Sequence, residues 1–249
     1  MNVVVTGGGT LAPIDDVRQI ANASTGRFSA EIAEACLRRG ANVWHVAAPG
    51  AQRPLLRQAG FDLDTANPDR EFERLEALRQ EYQRLKGRLH LCPLSTGTVG
   101  EYASVLRSVL REESIDLAFL AMAASDFEPE PQTGKIRSDL PELVLRCHPT
   151  PKVIQSVRDW APGIFLVGFK LLSGSSPEAL IAEAEAACRA NRADATVAND
   201  LRLLRAGRHT VHLVRPGQPI ETFGPGGPIA EDLVDRLWSE VERRGRGGS

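Results

Sequence analysis

Six consecutive residues, Asn22-Ala23-Ser24-Thr25-Gly26-Arg27, gather an amide, two hydroxyls and a guanidinium just ahead of a helical pattern. Each group suits a phosphate or carboxylate, and a helix N-terminus adds unpaired backbone amides. Plain capping by Ser24 or Thr25 accounts for one hydroxyl and leaves Asn22 and Arg27 unexplained. Upstream, Gly7-Gly8-Gly9-Thr10-Leu11-Ala12 follows an apolar run and fits G-x-G-x-x-A, a dinucleotide-binding pattern. Two features argue against that match. Pro13 and Asp15-Asp16 lie in a long loop and do not continue into a helix, and the second strand ends in Ala47-Ala48, where a ribose-binding acid should stand. Glycines without a Cβ would instead let backbone N–H groups approach a phosphate closely. A glycine turn with no ligand is the alternative.

Ala123-Ala124-Ser125-Asp126-Phe127 closes the most apolar run of the chain. Ligands of open α/β sheets sit beyond the carboxyl ends of strands, which places Asp126 well; a turn aspartate is the plainer reading. Lys135-Ile136-Arg137 follows Pro129, Pro131 and Gly134, the pattern of a mobile loop carrying two cations or of a solvated surface loop. Gly168-Phe169-Lys170 and Ala198-Asn199-Asp200 also end strands, offering an aromatic face for a base and an amide for a polar group. His45, His90, His148, His209 and His212 are scattered, and none is assigned a catalytic role; no metal-ligating set is assigned either.

The elements that must position these residues alternate short β runs with amphipathic stretches, as in a parallel sheet covered by helices. Val3–Thr6, Asn42–Ala47, Ile115–Ala123, Ile164–Phe169 and Ala195–Ala198 read as buried strands, and Leu89–Leu94 and Leu143–Arg146 as short ones. Helices are expected at Ser29–Arg39, residues 69–89, Val99–Glu113, Lys152–Trp160, Ser176 to about Asn191, and Ile229–Arg243. In the second of these, Phe72, Leu75, Leu78, Tyr82, Leu85 and Leu89 form one apolar stripe, a core-facing pattern. Thr210–Val214 and Ile220–Phe223 flank Pro216-Gly217 as a hairpin. The expected fold is α/β: a doubly wound, mostly parallel Rossmann-like sheet with a small β-hairpin arm near the C-terminus. Residues 1–243 form a single nucleotide-binding domain and residues 244–249 a disordered tail.

A formal net charge of -2 gives no basis for a nucleic-acid partner. No apolar run reaches the roughly 18 residues that a membrane span needs, and the N-terminus lacks a signal-peptide pattern. Cys36, Cys92, Cys147 and Cys188 are widely spaced, with no Cys-x-x-Cys pair, and read as reduced residues of a cytoplasmic protein.

Taken in order, the motifs resemble phosphopantothenoylcysteine synthetase, also called phosphopantothenate–cysteine ligase. They are Thr6-Gly7-Gly8-Gly9-Thr10 with Pro13, Asn22 through Arg27, Ala124-Ser125-Asp126-Phe127, Lys135-Ile136, Pro151-Lys152, Asp159-Trp160-Ala161-Pro162, Gly168-Phe169-Lys170 and Val197-Ala198-Asn199. The Ser-Asp-Phe, Asp-Trp-Ala-Pro and Phe-Lys-Leu stretches lean toward the stand-alone, eukaryotic-type branch, with no flavin-binding decarboxylase domain fused. The resemblance implies that ATP or CTP, with Mg²⁺, activates the carboxylate of 4′-phosphopantothenate as an acyl-nucleotidylate, which the amine of cysteine then attacks. It implies that Asn22 holds the acyl intermediate and that Lys135 serves its conversion. Gly7, Gly8, Gly9, Thr10, Ser24, Thr25, Gly26, Arg27, Ala123, Asp126, Pro151, Lys152, Phe169 and Asn199 are then expected to line the nucleotide and substrate site. A homodimer is implied too, with the 210–223 hairpin as its arm. Where bacterial members of the family carry lysines on the helix after Phe169, this chain offers only Arg189 and Arg192. A Rossmann-type oxidoreductase and a non-catalytic relative that binds a nucleotide or pantothenate derivative stay open.

Overall fold

A computed structural model of the chain describes residues 1–247. Six strands run parallel: β1 (Asn2–Gly7), β4 (Asn42–Ala47), β5 (Leu89–Pro93), β6 (Leu117–Leu120), β9 (Phe165–Leu172) and β10 (Ala195–Asp200). Their order in the sheet is β5-β4-β1-β6-β9-β10. The direction of winding therefore reverses between β1 and β6, which opens a crevice at their carboxyl ends. An antiparallel hairpin, β11 (Val211–Val214) and β12 (Glu221–Phe223), completes the eight-stranded sheet. It is laid along the edge beside β10, with Val211, Leu213 and Val214 fully buried.

Side chains alternate across each strand, so the parallel strands divide their apolar residues between two cores. Val3, Val5, Val43, Leu117, Phe119, Phe165 and Val167 face α1 (Arg27–Arg38) and α7 (Ile229–Gly247). Val4, Trp44, Val46, Ala118, Leu120 and Leu166 face α3 (Val99–Glu112) and α4 (Val153–Trp160). Phe119, fully buried, illustrates the stakes: truncation to alanine at such a site costs about 3–5 kcal/mol. Helix starts follow the expected chemistry: Thr98 caps α3, and Ser176 caps α5 (Pro177–Ala190) by accepting from the Ala179 amide at 3.2 Å. A short α6 (Leu201–Arg205), not expected from the sequence, is capped by Asp200.

Four expectations change. Residues 8–26 are not a plain loop but hold a hairpin of β2 (Leu11–Pro13) and β3 (Gln19–Ala21). Leu143–Arg146 is not a strand: Val144 is 69% exposed, and the pairing falls instead to β7 (Phe127–Pro129) and β8 (Cys147–Pro149). The stripe on α2 (Pro68–Leu85) is core only at its C-terminal half, where Leu78, Tyr82 and Leu85 pack; Phe72 stays exposed against Phe61. The last helix continues past residue 243 to Gly247, while Gly248 and Ser249 lie outside the described residues. No helix among the described residues is long and apolar enough to cross a membrane.

Candidate active site

The crevice between β1 and β6 is zipped at its base by main-chain contacts. Ala123 N donates to Gly8 O at 2.9 Å and Thr10 N to Ala123 O at 3.1 Å, forming a parallel bridge between Gly9 and Ala123. Met122 N donates to the buried Thr6 hydroxyl at 3.2 Å, and Ser125 N to Thr10 Oγ1 at 2.8 Å. This packing requires the glycines. A Cβ on Gly7 would overlap Ser29 Oγ, one on Gly8 would lie 2.7 Å from Ala51 Cβ, and one on Gly9 would lie 2.4 Å from Asn22 O. Gly7, Gly8, Gly9 and Thr10 are all buried. The turn leads into β2 rather than a helix, so it presents no helix N-terminus, unlike a dinucleotide-binding turn.

Asn22, one residue past β3, reaches this junction: its Nδ2 donates to Ala123 O at 2.8 Å. The residue is exposed, leaving the rest of its amide open to solvent. Gly26 is the N-cap of α1 in a left-handed conformation, and no side chain caps the first turn. Thr25 Oγ1 takes only a long bond from Arg27 N at 3.4 Å, and Ser24 N bonds back to Asn22 O. The capping alternative for these hydroxyls is thus not what forms. Arg27 is committed to Glu31 at 2.8 Å, and that carboxylate raises its pKa.

Asp126 and Lys152 form an exposed ion pair at the same mouth. They are brought there by Thr150, whose N–H donates to Asp126 O at 3.0 Å and whose hydroxyl donates to Ser125 O. Pro151 stands between Thr150 and Lys152, exposed. One crevice along, half-buried Phe169 meets Phe28 edge to face at 6.1 Å, and Phe28 meets His209 at 4.9 Å. Asn199, on β10, pairs in register with Leu171, two residues past Phe169. The set falls into two groups: Asn22, Thr10, Ala123, Asp126 and Lys152 at the β1–β6 crevice, and Phe169 with Asn199 one and two strands away.

Lys135 is exposed. Its loop is tied to the tip of the β2–β3 hairpin, where Gln132 N donates to Ile14 O at 2.9 Å and Ile136 N to Asp15 Oδ2 at 3.0 Å. Asp15 and Arg18 are the residues that sequence reasoning missed. The available signal was an acidic pair and an arginine inside one proline-led turn. Arg189 and Arg192 are excluded from the crevice by topology. Arg189 lies in the last turn of α5 and Arg192 just past it, at the amino ends of the strands, where Arg192 bonds Asp159 at 2.8 Å and Arg189 pairs with Glu185. Among the described residues no group of three His, Cys, Asp or Glu side chains could hold a metal ion.

The family model of the DNA/pantothenate metabolism flavoprotein C-terminal domain matches residues 1–68 and 96–235. The coenzyme A biosynthesis bifunctional protein CoaBC of Thermococcus kodakarensis is 33% identical over 242 residues, covering 97% of this chain and 51% of that protein. The chain therefore spans about half the length of that relative. The phosphopantothenate–cysteine ligase of Homo sapiens is 29% identical over 270 residues, covering 95% of this chain and 85% of that protein. A crystal structure of a Cab2 mutant in complex with phosphopantothenate-cysteine shares the fold, with a TM-score of 0.83 at 22% identity over 100% of this chain and 89% of that one. The family match omits only α2, β5 and the final turns, and it includes every residue of the crevice; the chain belongs to the family of the DNA/pantothenate metabolism flavoprotein C-terminal domain.

Proposed function

We propose that this chain is a phosphopantothenate–cysteine ligase acting in coenzyme A biosynthesis. The observation that carries the reading is the convergence of Asn22, Ala123, Asp126 and Lys152 on the winding-reversal crevice, inside a chain whose human relative bears that name. In the first step a carboxylate oxygen of 4′-phosphopantothenate attacks the α-phosphorus of ATP or CTP, and the bond to pyrophosphate breaks. In the second the cysteine amine attacks the acyl carbon. A C–N bond forms, the C–O bond to the nucleotide breaks, and the amine proton passes to solvent.

Both reactants are anions, so the protein must supply positive charge and donors without supplying a basic surface. Asn22 is a neutral donor suited to an acyl oxygen, Lys152 is a cation at the crevice, and Lys135 is a cation on the loop tied to the β2–β3 hairpin. Mg²⁺ fits as a chelate of the nucleotide's own phosphates, because such ions keep several waters and need only one or two carboxylates; Asp126 is the carboxylate at the mouth. When bound it would neutralise phosphate charge. Phe169 and Asn199 are suited to a base and a ribose or phosphate. Gly7–Thr10 and Ser24–Arg27 form the floor and wall. The setting we infer is cytoplasmic, and the active unit a homodimer.

The test is pyrophosphate release by the purified protein with Mg²⁺, 4′-phosphopantothenate and each nucleotide, followed by amide formation on adding cysteine. ATP is expected to be accepted. No release above background with any of the four nucleotides overturns the catalytic reading. A binding-only role is the second reading, favoured by the placing of Arg189 and Arg192 at the amino ends of the strands, away from the crevice. Nucleotide binding by calorimetry without pyrophosphate release would establish it.

A further inference from the structure

We propose that Asp15 and Asp16 are positioning residues that hold the Lys135 loop by the main-chain groups of the two residues flanking Lys135, Gly134 and Ile136. The proposal rests on the reading above, that Lys135 serves the ligation.

The turn at residues 14–18 is the tip of the β2–β3 hairpin. The two oxygens of Asp15 have different partners. Oδ1 accepts from Val17 N at 2.9 Å and Arg18 N at 2.7 Å, which closes the turn itself. Oδ2 accepts from Arg18 Nη1 at 2.9 Å and from Ile136 N at 3.0 Å, which reaches across to the loop. Arg18 Nη1 also donates to Ile136 O at 3.2 Å, so Ile136, the residue after Lys135, is gripped at both its N–H and its carbonyl. Asp16 grips the other side. Its Oδ2 accepts from Gly134 N at 3.1 Å, and its own N–H donates to Gly134 O at 3.4 Å.

A turn that needed only to close on itself would use Asp15 Oδ1 and stop there. Asp15 Oδ2 and the Asp16 carboxylate do nothing for the turn beyond the Arg18 pair; their remaining partners lie 118 and 121 residues away. The Asp15 side chain is fully buried although it sits at a hairpin tip. Burial pushes its pKa up, but the Ile136, Val17 and Arg18 amides with the Arg18 charge outweigh that and hold it below the usual carboxylate value, so it stays ionised. Both grips take backbone, so the Lys135 side chain stays exposed and free to move.

The hairpin register, Leu11 to Ala21 through Pro13 to Gln19, runs straight from this tip to Asn22. One short bracket thus sets the Asn22 amide at one end and the Lys135 backbone at the other. A recess of about 520 Å³ lies between the turn and Pro131-Gln132.

Hydrogen exchange of the segment 132–138 in the full chain, alongside steady-state kinetics, tests the bracket. Asp16 is exposed, so Asp16→Ala should fold; Asp15→Asn tests the Ile136 side. Exchange across 132–138 is expected to accelerate at least about tenfold in either variant. The kcat for amide formation should fall at least about tenfold with the KM for 4′-phosphopantothenate within about threefold of wild type. Asp16→Asn keeps an acceptor oxygen and should rescue both. Unchanged exchange in both Asp16→Ala and Asp15→Asn overturns the bracket whatever the activity. Faster exchange with unchanged kcat overturns the positioning role. Faster exchange in a chain whose wild type releases no pyrophosphate overturns the ligase reading and retains the bracket.

Discussion

The two ends of the central sheet are built on opposite plans. At the amino ends of the strands the connections are short and bonded back onto the sheet. Asn2 N donates to Asp116 Oδ2 at 2.7 Å, Asn42 Nδ2 to Asn2 Oδ1 at 2.9 Å, and Leu166 N to Asp194 Oδ2 at 2.7 Å. Arg158 reinforces the last of these, donating to Asp194 at 2.6 Å and to Ile164 O at 2.5 Å, and Arg244 adds a second cation. At the carboxyl ends, residues 8–26 and 121–152 make long excursions with small strands of their own, and many of their polar groups bond to one another. One end is closed by its polar groups; the other is held open by them. Changes at the closed end should therefore move stability and leave rate alone, and changes at the open end should do the reverse.

The sharpest break is expected at Asn22. Asn22→Asp removes the donor to Ala123 O and sets a carboxylate against both that carbonyl and an anionic substrate. Turnover should fall roughly 10²–10³-fold, the size of losing one oxyanion donor. Unfolding free energy should change by no more than about 1 kcal/mol, since the residue is exposed. Pyrophosphate release and urea unfolding, run on the same preparation, give both numbers. A large stability loss with retained turnover would reverse the assignment of the two ends.

Below the open end lies His45, fully buried, with both ring nitrogens unpartnered. Burial, with a smaller contribution from Arg53, pushes its pKa down from 6.5 to about 4. The unfolded chain then binds the proton more readily than the folded one between these values. Stability is full above pH 6.5 and declines as pH falls toward 4, by about 3 kcal/mol at the limit. His45→Leu should remove that component. Parallel pH profiles of unfolding free energy for wild type and variant between pH 7 and 4.5 would show that His45 is not the group responsible.

Most of the framework could be read from the sequence because period is a local property. Tyr102, Leu106, Val109 and Leu110 recur at helical spacing and are all buried on α3, and the unbroken run at Leu117–Leu120 is a central strand buried on both faces. The β2–β3 hairpin escaped because three-residue strands leave too little alternation to see, and Pro13 argued for a loop. The crevice was legible as a set of residue types but not as contacts. Asn22 meets Ala123 across 101 residues, and nothing local announces it. The glycine turn was read as room for a ligand's approach; its missing Cβ atoms also make room for Ser29, Ala51 and the Asn22 backbone. Steric need between distant segments leaves the same trace in a sequence as steric need for a ligand.

The closed end supplies the converse test. Asp194→Ala leaves Leu166 N buried without an acceptor and Arg158 without its carboxylate. Such a loss costs about 1–3 kcal/mol. Turnover at saturating substrate should stay within about twofold of wild type, because Asp194 stands a full strand length from the crevice. A drop in kcat without a drop in the urea midpoint would show that the two ends are coupled.

The smallest change is expected at Lys135. Its side chain is exposed, and the loop is held through the Gly134 and Ile136 backbone, so Lys135→Gln should leave unfolding free energy within about 0.5 kcal/mol of wild type. If the ammonium offsets negative charge as the nucleotide leaves, removing it should slow amide formation about ten- to thirtyfold while pyrophosphate release is slowed less. The split between the two half-reactions is the informative quantity. An equal slowing of both would point to binding of the nucleotide rather than to conversion of the acyl intermediate. Wild-type rates in both, at saturating substrates, would make Lys135 an ordinary surface lysine and leave the aspartate grips of its loop with nothing to position.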